Sequence, residues 1–271
     1  MISFTKMQAL GNDFVIVSGS GGRLPGDLAS FSRRVADRHF GVGCDQVIII
    51  EQRDAGPAVR FFNSDGSEAE MCGNGLRCVS RFLAGREVGS GSCEIITPAG
   101  PVMTEIRGRQ VMVDLGVPLF QTGDWAFDRR VIGKEVEIGG ESRKISLVSV
   151  GNPHCVIFMP DLDNVDVETV GHTIESATCF PHGINVEFVK IDSRESVSVR
   201  VWERGAGETM ACGSGAAATV VAACENGLTG RKVLVRFRRG ELIVEYGTDG
   251  HVRILGDADF VFEGTLEGIS L

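Results

Sequence analysis

The sequence predicts an α+β protein of two homologous domains, each a mostly antiparallel or mixed β-sheet or barrel wrapped around a central apolar helix. Three observations support this fold class. Short β-rich runs bounded by Gly, Asn, Asp or Pro dominate the chain, and helical patterns are few. A cysteine–glycine turn that opens an apolar helix occurs twice, at Cys72 and at Cys212. The chain of 271 residues is long enough to bury two hydrophobic cores.

In the first part of the chain, the predicted strands are rich in β-branched and aromatic residues. They are ISFTKM, DFVIV, QVIIIE, AVRFFN, CEIITP, PVMTEI and QVMVDLG. Residues 27–39 and the stretch after Cys72 show apolar residues at helical spacing, so we expect helices there.

The second part has the same composition of short strands. We predict them at ISLVSV, CVIFMP, NVEFVKI, VSVRVWE, KVLVRFRR, ELIVEYG, HVRILG and FVFEGTL. Short Gly-containing turns join many of them, which is typical of antiparallel pairing. Helices are expected at residues 165–175 and 211–225, and the second is apolar nearly all round, as a helix inside a core is.

The repeated turn indicates a duplicated domain. The segment EMCGNG around Cys72 is matched by MACGSG around Cys212, each before an apolar helix. Pro118 follows a strand and its turn glycine, where a linker is expected. We therefore predict one domain at residues 1–117 and a second at 118–259, with a last strand at 260–271 that returns to the first domain.

Composition excludes several classes of partner. The net charge of −9 argues against a nucleic-acid surface, which needs clustered Lys and Arg. No apolar run has the length of a membrane span, and the N-terminal residues lack a signal-peptide pattern. We expect a soluble, cytoplasmic protein that binds a small molecule or a protein.

The cysteines do not form a disulfide or zinc pattern. The sequence has no Cys-x-x-Cys pair and no close His/Cys cluster with the spacing of a tetrahedral zinc site, so we expect reduced thiols and no metal. One Cys-Gly-x-Gly turn alone is more often a packing feature, since cysteine is commonly buried. Two copies in matching contexts favour a function for Cys72 and Cys212. The remaining six are assigned to packing, and they are Cys44, Cys78, Cys93, Cys155, Cys179 and Cys224.

Two matched thiols suit the inversion of a carbon next to a carboxylate. One group removes a proton from one face while the other returns a proton to the opposite face. A thiol pKa of about 8.5 can be moved toward neutrality by a helix N-terminus or a cation. The glycines of both turns are expected to leave backbone N–H groups free to bind the carboxylate. The active site is then expected in the cleft between the two domains.

At these residues the sequence resembles the diaminopimelate epimerases, and the likeness runs nearly end to end. The segments that carry it are GNDF at 11–14, GVGCDQ at 41–46, FNSDGS at 62–67, MCGNG at 71–75, GNPH at 151–154, GINVE at 183–187 and ERGAGET at 203–209. The resemblance implies conversion of LL-2,6-diaminopimelate to the meso form, in lysine and peptidoglycan-precursor synthesis. It also implies that neither pyridoxal phosphate nor a metal takes part, so no cofactor is expected.

The resemblance also assigns site residues. Cys72 and Cys212 would be the acid–base pair, and His154 and Glu203 would tune the thiols. The substrate-binding set is Asn12, Gln46, Asn63, Gly73, Asn74, Asn152, Asn185, Glu203, Arg204, Gly213 and Ser214. Within it, Arg204 with three of the asparagines would hold the distal carboxylate, and Glu203 with Asn12 and Gln46 would hold ammonium groups.

The sequence departs from the family pattern at three places. Cys44 stands where Ala is common and Ser214 where Thr is frequent, and neither change threatens the mechanism. Phe262 stands where many members carry a Tyr associated with dimer contacts. The resemblance itself implies a homodimer, and Phe262 is the one departure that concerns the dimer contacts.

Two other interpretations remain open at this point. Proline and hydroxyproline racemases share the fold and both cysteines, although they usually carry His where this chain has Asn74. A thiol redox switch, with a Cys72–Cys212 disulfide, is the alternative that is not an enzyme. It leaves the anion-binding glycines without a purpose.

Overall fold

A computed structural model describes residues 1–19, 24–85 and 90–267. Among these residues the chain divides into two compact units. Unit 1 is Met1–Val113 with Gly256–Leu271, and unit 2 is Asp114–Leu255. The predicted boundary at Val117 and Pro118 lies inside unit 2. Residues 268–271 of the predicted last strand lie outside the described residues.

The described residues of unit 1 form one mixed sheet and two helices. Its strands are β1 (Ile2–Ala9), β2 (Asn12–Ser18), β3 (Gln46–Arg53), β4 (Gly56–Asn63), β5 (Glu68–Ala69), β6 (Ser90–Thr97), β7 (Gly100–Arg107), β8 (Gln110–Asp114) and β18 (Asp259–Leu266). The order is β18-β1-β2-β3-β4-β6-β7-β8, with β5 paired to β4. Pairs β2–β3 and β4–β6 are parallel. Helix α1 (Leu28–Ala36) precedes β3, and helix α2 (Gly73–Ala84) precedes β6.

Unit 2 repeats this plan. Its strands are β9 (Lys134–Ile138), β10 (Glu141–Ser149), β11 (Pro153–Phe158), β12 (Asn185–Ser193), β13 (Ser196–Glu203), β14 (Gly207–Thr209), β15 (Lys232–Phe237), β16 (Gly240–Tyr246) and β17 (Val252–Asp257). The order is β9-β10-β11-β12-β13-β15-β16-β17, with β14 paired to β13. Pairs β11–β12 and β13–β15 are parallel. Helix α3 (Val167–Glu175) precedes β12, and helix α4 (Gly213–Glu225) precedes β15.

The matching strand orders confirm the predicted α+β fold of two homologous halves. In each half the helix that follows the cysteine is the inner one. Helix α2 packs against β1, β2, β6 and β7, and helix α4 packs against β10, β11, β12, β15 and β16. Ten of the thirteen residues of α4 are buried, because Ala and Val fill most of the helix. No helix of the described residues is long and apolar enough to cross a membrane.

Some boundaries differ from the sequence prediction. Helix α1 ends at Ala36 rather than at residue 39, because Asp37 is extended and its carboxylate accepts the N–H groups of His39 and Phe40. Strand β9 and the two short strands β5 and β14 were not predicted. Among the residues that the structure describes, strand β9 pairs only with β10, and its KEVEI sequence is mostly charged, as an edge strand tolerates.

Candidate active site

The two cysteines occupy the same place in the two units, at the N-cap of the inner helix. Cys72 caps α2 and Cys212 caps α4, both with extended backbone. Each sulfur accepts the N–H of the glycine three residues later, Gly75 or Gly215, at 3.4 Å. An N–H donor at a helix start stabilises a thiolate. The expectation that the turn amides are free is thus wrong for these two glycines, which bind the sulfurs.

The same glycines cannot carry a side chain without displacement. A Cβ on Gly75 would lie 3.0 Å from Phe61 Cε1 and 3.1 Å from Ile48 Cδ1. A Cβ on Gly215 would lie 2.6 Å from Glu187 Oε1. Glycine at this position therefore leaves room for side chains of the neighbouring strands, while its N–H donates to the cysteine sulfur. Gly73 and Gly213 are the buried first residues of α2 and α4.

In unit 1, Asn12 links the thiol to a charged network. The Cys72 sulfur lies 4.0 Å from Asn12 Oδ1, which also accepts a bond from Asn74 Nδ2 at 3.4 Å. Asn12 Nδ2 donates to Asp45 Oδ2 at 2.8 Å. The structure therefore brings together three of the predicted residues, Asn12, Cys72 and Asn74.

A buried arginine lies beneath this group. Arg77, on α2, is fully buried and donates to Asn74 Oδ1 at 2.9 Å and to the Asp257 carbonyl at 3.3 Å, while its Nη1 has no partner among the described residues. Within the described residues no carboxylate lies at ion-pair distance from it. Burial lowers the pKa of Arg77 to about 10, so the guanidinium remains charged at neutral pH. The sequence analysis did not assign Arg77, and an arginine in an amphipathic helix gives no signal that it is buried.

Gln46 and Asn63 bind each other rather than the thiol. Gln46 Nε2 donates to Asn63 Oδ1 at 2.8 Å, and Asn63 Nδ2 donates to Ser67 Oγ at 3.0 Å. Gln46 Oε1 is buried and has no partner among the described residues. Gln46 begins β3 and Asn63 ends β4, so the antiparallel pairing places them side by side.

In unit 2, a chain of hydrogen bonds leads to the Cys212 sulfur. Glu187 Oε1 lies 2.7 Å from His154 Nδ1, and His154 Nε2 lies 3.0 Å from Asn152 Oδ1. Asn152 Nδ2 donates to Ser214 Oγ at 3.2 Å, and Ser214 Oγ lies 3.4 Å from Cys212 Sγ. The structure therefore joins four predicted residues, and it adds Glu187, which the sequence analysis did not assign.

Burial and two nearby carboxylates both act on the pKa of Cys212. Burial raises the pKa of the Cys212 thiol well above its ordinary value, and Glu203 and Glu187 raise it further. Burial also raises the pKa of Glu203, against the lowering effect of hydrogen bonds with Thr209 and Cys212. Thr209 Oγ1 donates to Glu203 Oε1. Cys212 is therefore a protonated thiol at neutral pH in this structure, next to a carboxylate that can accept its proton.

Asn185 and Arg204 form a brace at the edge of unit 2. Asn185 Nδ2 donates to the Pro153 carbonyl at 2.8 Å, and its Oδ1 accepts the Arg204 N–H at 3.0 Å. The Arg204 side chain is exposed and donates to the His182 carbonyl at 3.2 Å. No carboxylate of the described residues pairs with it, so most of its donors face solvent.

The remaining cysteines are unlike these two. All eight lie in the described part of the chain as thiols without a disulfide. Burial raises the pKa of Cys78, which lies inside α2, and raises that of Cys44 to about 12. Neither has a helix-start amide on its sulfur.

Comparison with known proteins identifies the family. The family model described as diaminopimelate epimerase matches residues 4–120 and 146–261. The diaminopimelate epimerase of Pelotomaculum thermopropionicum is 44% identical, covering 96% of this chain and 97% of that protein. The diaminopimelate epimerase of Moorella thermoacetica is 41% identical, covering 96% of this chain and 98% of that protein.

Solved structures share the fold at much lower identity. A probable proline racemase from Agrobacterium radiobacter superposes with a TM-score of 0.73 at 14% identity, over 100% of this chain and 94% of that one. A phenazine biosynthesis protein of the PhzF family from Bacillus anthracis gives 0.70 at 17% identity, over 97% of this chain and 98% of that one. These likenesses concern the fold alone, whereas the sequence matches are specific. The chain belongs to the diaminopimelate epimerase family.

Proposed function

We propose that this protein converts LL-2,6-diaminopimelate to the meso isomer by a two-thiol mechanism, in lysine and peptidoglycan-precursor synthesis. One observation carries the proposal: each unit presents a cysteine whose sulfur accepts an N–H at the start of its inner helix. Family membership supports the substrate, since relatives at 38–44% identity carry this name.

The proposed reaction moves one proton at each face of the α-carbon. A thiolate takes the α-proton, and the other thiol donates its proton to the opposite face. Cys212 is the resting thiol because burial and two carboxylates raise its pKa, so we assign the resting thiolate to Cys72. Glu203 then restores the cycle by accepting or returning the Cys212 proton.

Binding follows from the groups that surround the thiols. The first residues of α2 and α4, Gly73 and Gly213, offer amides to the reacting carboxylate at the positive end of each helix dipole. Arg204 has donors facing solvent and can bind the distal carboxylate in a fork. Asn63, Asn152 and Asn185 orient this end, and Glu203 with Asn12 and Gln46 receives the ammonium groups.

We also propose a homodimer in the cytoplasm. Val261 and Phe262, on β18, are 54% and 46% exposed, and such apolar exposure on one strand suits a second copy of the chain. Eight thiols without a disulfide suit a reducing compartment.

The direct test is solvent exchange with reduced protein and no added cofactor. In D₂O, proton NMR should show LL-diaminopimelate losing its α-proton signal while the meso isomer accumulates, and L-proline should keep its signal. Absence of exchange with diaminopimelate, or exchange with proline instead, contradicts the proposal.

Single substitutions separate the two thiols from the others. Cys72→Ala and Cys212→Ala should each lower turnover about a thousandfold, because one acid–base partner is lost. Cys78→Ala and Cys224→Ala are the controls and should keep turnover, with Cys78→Ala costing stability because Cys78 is buried. Full turnover in Cys212→Ala rules out the two-thiol scheme.

A further inference from the structure

A hydrogen-bonded chain in unit 1 begins at the Asp65 carboxylate. Ser67 Oγ donates its proton to Asp65 Oδ1 at 2.6 Å, and the Ser67 N–H donates to the same oxygen at 2.8 Å. These two hydrogen bonds hold the pKa of Asp65 below its ordinary value, so Asp65 is ionised at neutral pH and only accepts. The single hydroxyl proton of Ser67 is therefore committed to Asp65.

The next steps of the chain follow from donor and acceptor types. Asn63 Nδ2 lies 3.0 Å from Ser67 Oγ, which has no second proton to give, so the Asn63 nitrogen is the donor. Asn63 Oδ1 then accepts from Gln46 Nε2 at 2.8 Å. Turning either amide alone would bring two acceptors or two donors together. The direction of the chain is therefore set from its Asp65 end.

The chain ends in an acceptor with nothing bound to it. Gln46 Oε1 is buried and has no partner among the residues that the structure describes. A buried acceptor without a donor costs free energy, and a ligand with N–H groups removes this cost. An ammonium group has three such donors, whereas an ionised carboxylate only accepts. The direction of the chain thus makes Gln46 Oε1 favour an ammonium group over a carboxylate.

Asn12, on the neighbouring strand β2, is oriented by a second carboxylate. Its Nδ2 donates to Asp45 Oδ2 at 2.8 Å, and the other oxygen of Asp45 accepts from Arg38 at 2.8 Å. The amide oxygen of Asn12 is then the atom beside the thiol, 4.0 Å from Cys72 Sγ. In both Asn12 and Gln46, hydrogen bonds that lead to a carboxylate occupy the amide nitrogen and leave the carbonyl oxygen for a ligand.

The duplicated unit shows that the turn does not need the Asp65–Ser67 pair for its fold. Strand β5 pairs with β4 as β14 pairs with β13, so this turn corresponds to residues 203–207. In both turns the N–H of the fourth residue donates to the carbonyl of the first. Where unit 1 has Asp65 and Ser67, unit 2 has Gly205 and Gly207. The same turn closes without these side chains, which points to a role in binding.

We propose that Asp65 and Ser67 are positioning residues for the substrate: they hold the Asn63 and Gln46 amides in the direction that leaves Gln46 Oε1 for an ammonium group. This inference rests on the proposed function, in which Gln46 belongs to the ammonium-binding set. Asp65 and Ser67 act through Asn63 and need no contact with the substrate themselves.

Calorimetric titration with two ligands separates this role from a purely structural one. The probes are meso-diaminopimelate and pimelate, which has the same carbon chain and both carboxylates but no amino group. Ser67→Ala and Asp65→Ala allow the Asn63 amide to turn, so the ratio of diaminopimelate affinity to pimelate affinity should fall about fivefold. Ser67→Thr keeps the hydroxyl and Asp65→Asn keeps an acceptor oxygen, so both should retain the wild-type ratio.

A purely structural role predicts a different result. An unchanged ratio in Ser67→Ala and Asp65→Ala, whether both affinities fall together or neither falls, overturns the proposal. Thr122→Ala is the matched control, since Thr122 Oγ1 donates to Asp124 Oδ2 at 2.6 Å in unit 2, as Ser67 donates to Asp65. Among the described residues, neither partner has a hydrogen bond to a predicted site residue. This variant should keep the wild-type ratio.

Neutron diffraction of the unaltered protein in D₂O covers the case in which a variant does not fold. It should locate the Ser67 hydroxyl deuteron toward Asp65 and the Gln46 amide deuterons on the atom that faces Asn63. The opposite orientation of either group overturns the proposal. This measurement uses no substrate, so the chain direction can fail while the exchange assay with diaminopimelate succeeds, and the reverse.

Discussion

The two cysteine turns have the same backbone geometry but different charged neighbours. Cys72 and Cys212 cap equivalent helices, and each sulfur accepts an N–H at 3.4 Å. Five residues after each cysteine, α2 carries the buried Arg77 and α4 carries the buried Ala217. Unit 1 therefore places a buried cation behind its thiol, whereas unit 2 places no charge there.

The strands beneath the turns differ in the opposite sense. Unit 2 has Glu187 and Glu203 near its thiol, and their charges add to burial in raising the Cys212 pKa. His154 lies opposite Asn185 in the pair β11–β12, as Phe14 lies opposite Gln46 in β2–β3, so the counterparts of His154 and Glu187 in unit 1 are Phe14 and Ile48. A cation favours a thiolate, and two carboxylates favour a thiol. The two thiols therefore have opposite charged surroundings. In the proposed reaction one thiol starts as the base and the other as the acid, and these surroundings suit the two roles.

The largest effect should come from giving unit 2 the apolar pair of unit 1. In His154→Phe/Glu187→Ile, the free energy of unfolding should stay within about 2 kcal/mol of wild type, since an apolar pair of similar volume replaces a buried hydrogen-bonded pair. Epimerase turnover should fall about a hundredfold or more, because the hydrogen-bonded chain that leads from His154 through Asn152 and Ser214 to Cys212 is lost. Denaturant unfolding and the deuterium exchange assay measure the two quantities.

The single variant His154→Phe serves as the control for this pair. It leaves Glu187 buried without its partner and should lower the free energy of unfolding by about 3 to 5 kcal/mol. If the double variant is as unstable as the single one, the His154–Glu187 pair is a structural element and the comparison with Phe14–Ile48 fails.

A smaller effect should follow from removing the cation of unit 1. Arg77→Met keeps the length of the side chain but not its charge, so alkylation of Cys72 at pH 7 should slow about tenfold. Arg77→Lys retains a cation and should slow it less. Cys212, in the other unit, should react at its wild-type rate in both variants. An unchanged Cys72 in Arg77→Met would mean that Arg77 serves α2 packing only.

Much of the fold could be predicted because local patterns and packing agree. Helix α4 follows from a run of Ala and Val after Cys212, and its small side chains are buried between strands. Helix α3 was expected within two residues of its observed start, where Asp166 caps it. Strand β9 was missed because its alternating charges resemble a solvated loop, and only its pairing with β10 makes it a strand.

The sequence indicated which residues form the site better than it indicated how those residues contact each other. Cys72, Cys212 and Ser214 stand out because the repeated turn marks them. Glu187 lies within the strand-like NVEF, and no local pattern shows that its carboxylate is buried against His154. Asn152 was predicted to hold substrate, yet its amide lies between His154 and Ser214, a contact between residues far apart in sequence. Long-range polar contacts of this kind depend on strand register, which sequence alone leaves open.

The smallest expected effect tests the space beneath the two turns. Gly215→Ala would place a Cβ 2.6 Å from Glu187 Oε1, which contacts His154, so the carboxylate has to move and this contact is lost. We expect a loss of about 2 kcal/mol in the free energy of unfolding and a changed rate of Cys212 alkylation, since Glu187 acts on the Cys212 pKa. A Cβ in Gly75→Ala would lie 3.0 Å from Phe61 Cε1, 3.1 Å from Ile48 Cδ1 and 3.4 Å from Cys72 Cβ, and the change should cost about 1 kcal/mol.

Gly123→Ala and Gly91→Ala are matched controls, because nothing lies within 4 Å of a Cβ at either position. Denaturant unfolding of the four variants ranks the two turns directly. One outcome is that Gly75→Ala and Gly215→Ala lower the free energy of unfolding equally and leave the alkylation rate of Cys212 unchanged. In that case the Glu187 carboxylate moves aside as easily as the Ile48 methyl group. His154 would then not fix the carboxylate, and the difference between the two units would lie in Arg77 and Glu203 alone.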